Sequence, residues 1–122
     1  MDVAVTGAAG FIGTHLTRRL CGDDRVHFVK AIDLSCGDSE VFSHHKVVFS
    51  QGDLADQCEL RSVLRGVDTV FHLASHLEPE GNTREHSATS QNCRTTSLLL
   101  KAASLSGVRR VVLASSAAIY GE

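Results

Sequence analysis

The chain has 122 residues and a mass of 13.1 kDa, enough for one domain and too little for an ordinary two-domain enzyme. Its composition, 43% hydrophobic and 21% charged, is typical of a soluble globular protein with one core. The net charge of −2 argues against a nucleic-acid partner, which requires a basic face. No apolar run is long enough to span a membrane, and the N-terminus lacks a secretory signal pattern. Four widely spaced cysteines favour free thiols over disulfides, which predicts a cytoplasmic protein.

Short apolar runs alternate along the chain with segments of helical periodicity. Strands are predicted at Val3–Val5, Val26–Ile32, Val47–Phe49, Val67–Ala74 and Val108–Leu113. Helices are predicted around Ile12–Leu20, over Asp56–Leu64 and over 85–105, with loops at Ser35–His45 and Glu78–Thr83. The apolar side of the last helix is predicted to comprise Leu98, Leu99, Ala102, Ala103 and Leu105, with Gly107 at its C-cap.

The alternation of strands and helices predicts an α/β fold built from parallel βαβ units. The strands are continuously apolar, as expected where helices cover both faces of a sheet. Right-handed crossovers then favour a doubly wound parallel sheet with the strand order 3-2-1-4-5.

A glycine-rich turn joins the first predicted strand to the first helix. Gly7, Gly10 and Gly13 are spaced as G-x-x-G-x-x-G, and no Gly-Lys-Ser/Thr follows, which excludes a Walker A loop. Glycines at such a turn let a pyrophosphate approach the backbone and rest on the N-terminus of a helix. The alternative is a turn that binds nothing.

Asp33 ends the second predicted strand, about twenty residues after the glycine turn. A carboxylate there can accept hydrogen bonds from both ribose hydroxyls of an adenosine and would repel a 2′-phosphate. The sequence therefore predicts NAD as cofactor, with NADP less favoured. The alternative is a loop-entry residue that caps Ser35 or Gly37.

Five motifs in order resemble the extended short-chain dehydrogenase/reductase family, the NAD-dependent epimerases and dehydratases. They are Thr6–Gly13, Gly52–Leu54, Val70–Ser75, Gln91–Thr96 and Val112–Gly121. The first matches the family's T-G-x-x-G-[FY]-I-G and is the specific one, whereas each of the others is weak alone. The resemblance implies a Rossmann-like NAD-binding domain over residues 1–122.

The resemblance also assigns roles to particular residues. The amides around Phe11 and Ile12 would face the pyrophosphate, and Asp33 would hold the adenosine ribose. Asp53 and Leu54 would contact the adenine, while Leu73, Ala74 and Ser75 would line the path to the nicotinamide ribose. Asn92 would order the site from the long helix, and Ser116 would hydrogen-bond the substrate oxygen that is oxidised.

Three positions depart from the family pattern. Thr95 replaces a small glycine, and Cys93 replaces a β-branched residue. The family's general base is a Tyr four residues before a Lys, beyond the active-site serine. Tyr120 is the only tyrosine here and belongs to the preceding Y-G element. We therefore expect a fragment truncated after the fifth strand, inactive by itself because Ser116 cannot act as a base near neutral pH.

The leading hypothesis is the cofactor-binding part of an NAD-dependent oxidoreductase, epimerase or dehydratase that transfers hydride to or from a hydroxyl-bearing small molecule. Family substrates include nucleotide sugars, sterols and other alcohols. A non-catalytic NAD(P)-binding or redox-sensing module is the alternative, and a purely structural domain is a third. No metal site is predicted, because His72 and His76 span a strand end and a loop. The resemblance further implies a homodimer through the helix around 85–105.

Overall fold

Five parallel strands form one sheet in the order β3-β2-β1-β4-β5, which confirms the predicted topology. The structure is a computed structural model that describes residues 1–36, 40–76 and 88–121. The strands are β1 (Asp2–Thr6), β2 (Phe28–Asp33), β3 (Val47–Gln51), β4 (Thr69–His72) and β5 (Arg110–Leu113). The helices are α1 (Phe11–Cys21), α2 (Gln57–Leu64) and α3 (Ala88–Leu105), with 3₁₀ turns at Glu40–Ser43 and Ala117–Tyr120.

The core lies on both faces of the sheet because successive residues of β1 point to opposite sides. Ala4 packs in a cluster with apolar residues of α2 and α3, including Leu64 and Leu99. Val3 and Val5 pack on the other face, in a cluster that α1 closes with Leu20. This two-sided burial explains the continuously apolar pattern of the first strand, whose middle residues are fully buried.

β2, β4 and β5 each begin two residues later than their apolar runs predict. Val26 is buried, but its amide donates to the Asp23 carbonyl in a turn, and the ladder of β2 begins at Phe28. In the same way, the amide of Val67 donates to the carbonyl of Leu64, and β4 begins at Thr69. An apolar pattern predicts which residues are buried, and Val26 and Val67 are buried in the turns that precede the strands.

The C-terminus of α3 ends as predicted, at a glycine in the left-handed region. Gly107 has a φ of 76°, its amide donates to Ser104 at 3.3 Å, and the amide of Val108 donates to Ala103 at 3.0 Å. These two bonds are a Schellman motif, which satisfies the last carbonyls of the helix and turns the chain into β5.

One predicted core residue of α3 is wrong. Leu99, Ala102 and Ala103 are buried and Leu98 is half-buried, whereas Leu105 is 59% exposed. Leu105 lies roughly 200° around the helix from Ala103, so its side chain leaves the sheet-facing side. The predicted loop Glu78–Thr83 and the predicted helical residues 85–87 lie outside the described residues.

Candidate cofactor-binding site

The glycine turn is packed tightly against the end of β4 and the start of α1. Gly7 has a φ of 69°, and a Cβ there would lie 2.6 Å from the amide nitrogen of Ala74. A Cβ at Gly13 would overlap the carbonyl oxygen of Gly7 and lie 2.7 Å from Ala8 Cα. At Gly10, by contrast, a Cβ would meet only the Gly7 carbonyl oxygen, at 3.2 Å. Gly7 and Gly13 are therefore required by packing, whereas a Cβ at Gly10 would make a single close contact that a shift of a few tenths of an ångström relieves.

The first turn of α1 presents unpartnered amides. Gly10 is the N-cap and offers no side-chain cap, and Thr14 is the first residue whose amide bonds back, to Gly10 at 2.9 Å. Within the described part of the chain, no group accepts a hydrogen bond from the amides of Phe11, Ile12 or Gly13. Three such amides and the positive end of the helix dipole form a site suited to an anion.

Asp33 connects the end of β2 to the glycine turn. Its Oδ2 accepts from the amide of Ala9 at 2.9 Å, and its Oδ1 accepts from the amide of Ser35 at 3.2 Å. The bond from Ser35 is the capping role that the sequence offered as an alternative for Asp33. Gly37, the other residue that Asp33 could cap, lies outside the described residues. An ionised carboxylate offers about four acceptor positions, so two remain for hydroxyl donors. The local role and a ribose-binding role are thus compatible.

A cavity of about 340 Å³ opens at the carboxyl ends of β1 to β4. Parallel strands bring these ends to one edge, and the cavity spans the switch point between β1 and β4, where open α/β sheets bind ligands. Its volume lies in the range of small-molecule sites, roughly 300–1,000 Å³. It is lined by Gly7, Ala9, Gly10, Ile32, Asp33, Leu34, Ser35, Gly52, Asp53, Leu54, Leu73, Ala74, Ser75, His76 and Thr95.

Eight of the predicted cofactor-binding residues line this cavity: Gly7, Gly10, Asp33, Asp53, Leu54, Leu73, Ala74 and Ser75. Phe11, Ile12, Gly13, Asn92 and Ser116 are not among the lining residues. The side chains of Phe11 and Ile12 are 82% and 63% exposed, so only their amides can serve an anion at the helix start. Ser116 is exposed beyond the end of β5.

Asn92 acts on the cavity through the backbone that follows β4. Its Oδ1 accepts from the amide of His76 at 2.7 Å, and its Nδ2 donates to the carbonyl of His76 at 2.9 Å. The Nδ2 group also lies 3.4 Å from Ser75 Oγ. The side chain therefore fastens the segment Ser75–His76, which lines the cavity, to α3.

Seven lining residues were assigned no cofactor-binding role from the sequence, although Ala9, Gly52 and Thr95 lie within the matched motifs: Ala9, Ile32, Leu34, Ser35, Gly52, His76 and Thr95. Most adjoin a predicted residue at a strand end, so the alignment of parallel strand ends could have located them. Thr95 lies one helical turn from Asn92 and therefore on the same face of α3, a spacing that was available from the sequence.

The charges at the cavity are acidic. Asp33 and Asp53 line it, and no lysine or arginine is among its described lining residues. One Asp53 oxygen accepts from the amide of Ala55 at 2.9 Å, which shapes the turn before α2. A phosphate placed beside Asp33 would meet a negative carboxylate with no neighbouring cation.

His72 lies under the cavity and is 2% exposed. Burial lowers the pKa of its imidazole below the ordinary value, which favours the neutral ring. Both ring nitrogens lie within hydrogen-bond distance of threonine hydroxyls.

The described residues contain no cluster of three metal-ligating side chains, and none of the described helices could cross a membrane.

The sequence model of the 3-beta hydroxysteroid dehydrogenase/isomerase family matches residues 4–122, so the chain belongs to this family. GDP-mannose 3,5-epimerase 1 of Oryza sativa subsp. japonica is 36% identical over 100% of the chain and 32% of its own length. The 3 beta-hydroxysteroid dehydrogenase/Delta 5-->4-isomerase of Mycobacterium tuberculosis is 36% identical over 93% of the chain and 31% of its own length. The chain thus spans about a third of these relatives.

Solved structures of similar proteins contain NAD. DesIV, a dTDP-glucose 4,6-dehydratase from Streptomyces venezuelae with NAD bound, is 31% identical with a TM-score of 0.84, over 100% of this chain and 41% of that one. A UDP-glucuronic acid 4-epimerase from Bacillus cereus in complex with NAD is 28% identical with a TM-score of 0.81, over 100% of this chain and 42% of that one. These similarities confirm the Rossmann-like fold and the resemblance to NAD-dependent epimerases and dehydratases.

Proposed function

We propose that this member of the 3-beta hydroxysteroid dehydrogenase/isomerase family binds NAD in the cavity at the strand ends. The observation that carries the proposal is the row of unpartnered amides at Phe11, Ile12 and Gly13, beside an open cavity. These donors fit the pyrophosphate of a dinucleotide, because the N-terminus of a helix supplies both hydrogen bonds and positive potential.

Asp33 is proposed to hold the adenosine ribose through the acceptor positions that Ala9 and Ser35 leave free. The acidic, lysine- and arginine-free lining described above supports NAD over NADP, because a 2′-phosphate requires a nearby cation. Asp53 and Leu54 are proposed to border the adenine, and Leu73 to Ser75 to lead toward the nicotinamide ribose.

For the whole protein we propose oxidation or reduction of a hydroxyl-bearing small molecule. Bound NAD would supply the hydride acceptor or donor, while the protein supplies positioning and proton transfer. Ser116 is proposed to hydrogen-bond the reacting oxygen. The 122 residues contain no Tyr-x-x-x-Lys pair, so we propose that these residues alone do not turn over substrate. Nucleotide sugars and sterols, which appear in the names of the relatives, are the proposed substrate classes.

The redox-sensing alternative shares the cofactor site and differs in turnover. An assay on the full-length protein separates the two functions. Conversion of a nucleotide sugar to a new product, or oxidation of a 3-hydroxysterol with reduction of NAD, supports the enzyme. Tight binding of NAD without turnover of either class supports the sensor.

Calorimetric titration of the full-length protein with NAD and NADP tests the cofactor proposal. We expect saturable binding of NAD and affinity for NADP at least about tenfold weaker, the effect of one unfavourable charge contact of about 1.4 kcal/mol. Absence of NAD binding by folded protein would overturn the assignment, and preference for NADP would overturn the role of Asp33.

Two further proposals concern the setting of the protein. Leu100 and Leu105 on α3 are 48% and 59% exposed, which supports a homodimer through this helix. Sedimentation of the wild type and of a Leu100→Lys variant tests it, since a charged side chain should dissociate the pair.

The described cysteines are all free, which supports a reducing compartment such as the cytoplasm. Cell fractionation tests that location.

A further inference from the structure

Three polar side chains form a hydrogen-bonded chain beneath the cavity. Nδ1 of His72 lies 2.7 Å from Thr6 Oγ1, and Nε2 lies 3.0 Å from Thr96 Oγ1. Thr6 is fully buried and His72 nearly so. The three residues come from the end of β1, the end of β4 and the middle of α3, so the chain connects three elements that are distant in sequence.

The direction of these hydrogen bonds depends on which ring nitrogen carries the proton. The amide of Ala74 donates to Thr6 Oγ1 at 3.4 Å, which leaves the single proton of that hydroxyl free to be donated to Nδ1 of His72. In that arrangement the neutral ring would carry its proton on Nε2 and donate it to Thr96, and with the proton on Nδ1 both hydrogen bonds would run in the opposite direction. Burial, which lowers the pKa of His72, supports this uncharged form.

Each member of the chain adjoins a residue that lines the cavity. Thr6 precedes Gly7, His72 precedes Leu73, and Thr96 follows Thr95. A shift of the imidazole would therefore move the glycine turn, the end of β4 and the wall formed by α3 relative to one another. Buried networks of this kind hold a single arrangement because each unmade bond is costly.

We infer that His72 is a positioning residue that sets the spacing of the cavity walls around the nicotinamide half of the bound dinucleotide. The inference rests on the proposed function. Asp33, proposed for the adenosine ribose, ends β2, whereas His72 ends β4, and these strands flank β1 on opposite sides. The network therefore lies under the half of the cavity that is remote from the adenosine.

The test compares the affinity of the full-length protein for NAD with its affinity for AMP, which probes the adenosine half alone. His72→Phe keeps an aromatic ring, larger by one ring atom, and removes both hydrogen bonds. We expect NAD to bind about tenfold more weakly and AMP to bind within about twofold of the wild type. His45→Phe, at an exposed histidine, is the matched control and should leave both affinities unchanged.

Two further measurements keep the test decisive if His72→Phe does not fold. Thr96→Val removes one bond and retains side-chain shape, and it should weaken NAD about threefold and leave AMP unaffected. Nitrogen NMR of the wild type near neutral pH should show a neutral His72 ring with only one of its two nitrogens protonated. Equal losses for NAD and AMP, unchanged NAD affinity in Thr96→Val, or a charged ring near neutral pH would overturn the positioning role. Failure of the wild type to bind NAD would overturn the proposed function instead.

Discussion

Gly10 and Gly13 belong to one motif, but their substitution by alanine should have different effects. Gly13→Ala should lower the stability of the fold, whereas Gly10→Ala should mainly weaken the binding of NAD. At Gly13 the new Cβ would overlap backbone atoms of Gly7 and Ala8, which cannot rotate away. Overpacking of this kind costs about 1–3 kcal/mol, of which the better helix propensity of alanine offsets at most about 1 kcal/mol. We expect a net loss of about 1–2 kcal/mol, or roughly 4–8 °C in melting temperature.

Gly10 differs because its φ of −71° and ψ of 169° are extended values that any residue adopts. Its Cβ would touch only the Gly7 carbonyl oxygen, at 3.2 Å, so the loss of stability should stay near about 0.5 kcal/mol. A side chain there would lie at the cavity and hold a pyrophosphate away from the helix amides. Loss of one charge-assisted hydrogen bond, about 1.5–3 kcal/mol, corresponds to roughly 10- to 100-fold weaker NAD binding.

The assays are thermal melting by circular dichroism and calorimetric titration with NAD. Gly22→Ala, at the opposite end of α1, is a matched control because its Cβ would lie 3.7 Å from the nearest carbonyl oxygen, that of Arg19. It should change neither quantity appreciably. NAD affinity of Gly10→Ala equal to that of the wild type would refute the phosphate site. A melting temperature of Gly13→Ala at or above the wild-type value would refute the packing argument.

Three other outcomes can be measured on the same protein. Asp33→Asn should raise affinity for NADP relative to NAD about tenfold in paired titrations, because it removes the negative charge, and an unchanged ratio would contradict the ribose assignment. Thr17→Val should raise the free energy of unfolding by about 1 kcal/mol, because Thr17 Oγ1 is buried without a hydrogen-bond partner in the described residues, and a loss in urea titration would show an unseen partner. Acidification below about pH 6.5 should lower the melting temperature, because the unfolded chain protonates His72 while the folded state keeps it neutral; His72→Gln should flatten this slope, and an equal slope in both proteins would contradict the burial effect.

The fold was predictable because two patterns in the sequence agree. Apolar runs located all five strands, and the helices between them left the parallel order 3-2-1-4-5 as the favoured topology. Strand starts were not predictable from the same pattern. Val26 and Val67 are apolar and buried but donate to turn carbonyls, and burial by a turn cannot be distinguished from burial in a ladder by composition.

The candidate site was predictable where a backbone feature demands a residue type. The glycines of the turn and the aspartate at the end of β2 are such positions, and Gly7, Gly10 and Asp33 line the cavity. Thr95 was not assigned to the site, because its place depends on how α3 packs across the sheet. The Thr6–His72–Thr96 chain was also missed, since its members are 66 and 24 residues apart and no local motif records their contact.

The register of the strands explains why the separate motifs form one site. Thr6 pairs with Ile32 of β2 on one side and with His72 of β4 on the other. The residues that follow these three, Gly7, Asp33 and Leu73, therefore lie side by side at the carboxyl ends of the strands and all line the cavity. A slip of one residue in either pairing would turn the Asp33 carboxylate or the His72 ring to the opposite face. The amide of Ala9 would then lose its acceptor and Thr6 would lose its partner, so the hydrogen bonds that shape the cavity also favour the one register that creates it.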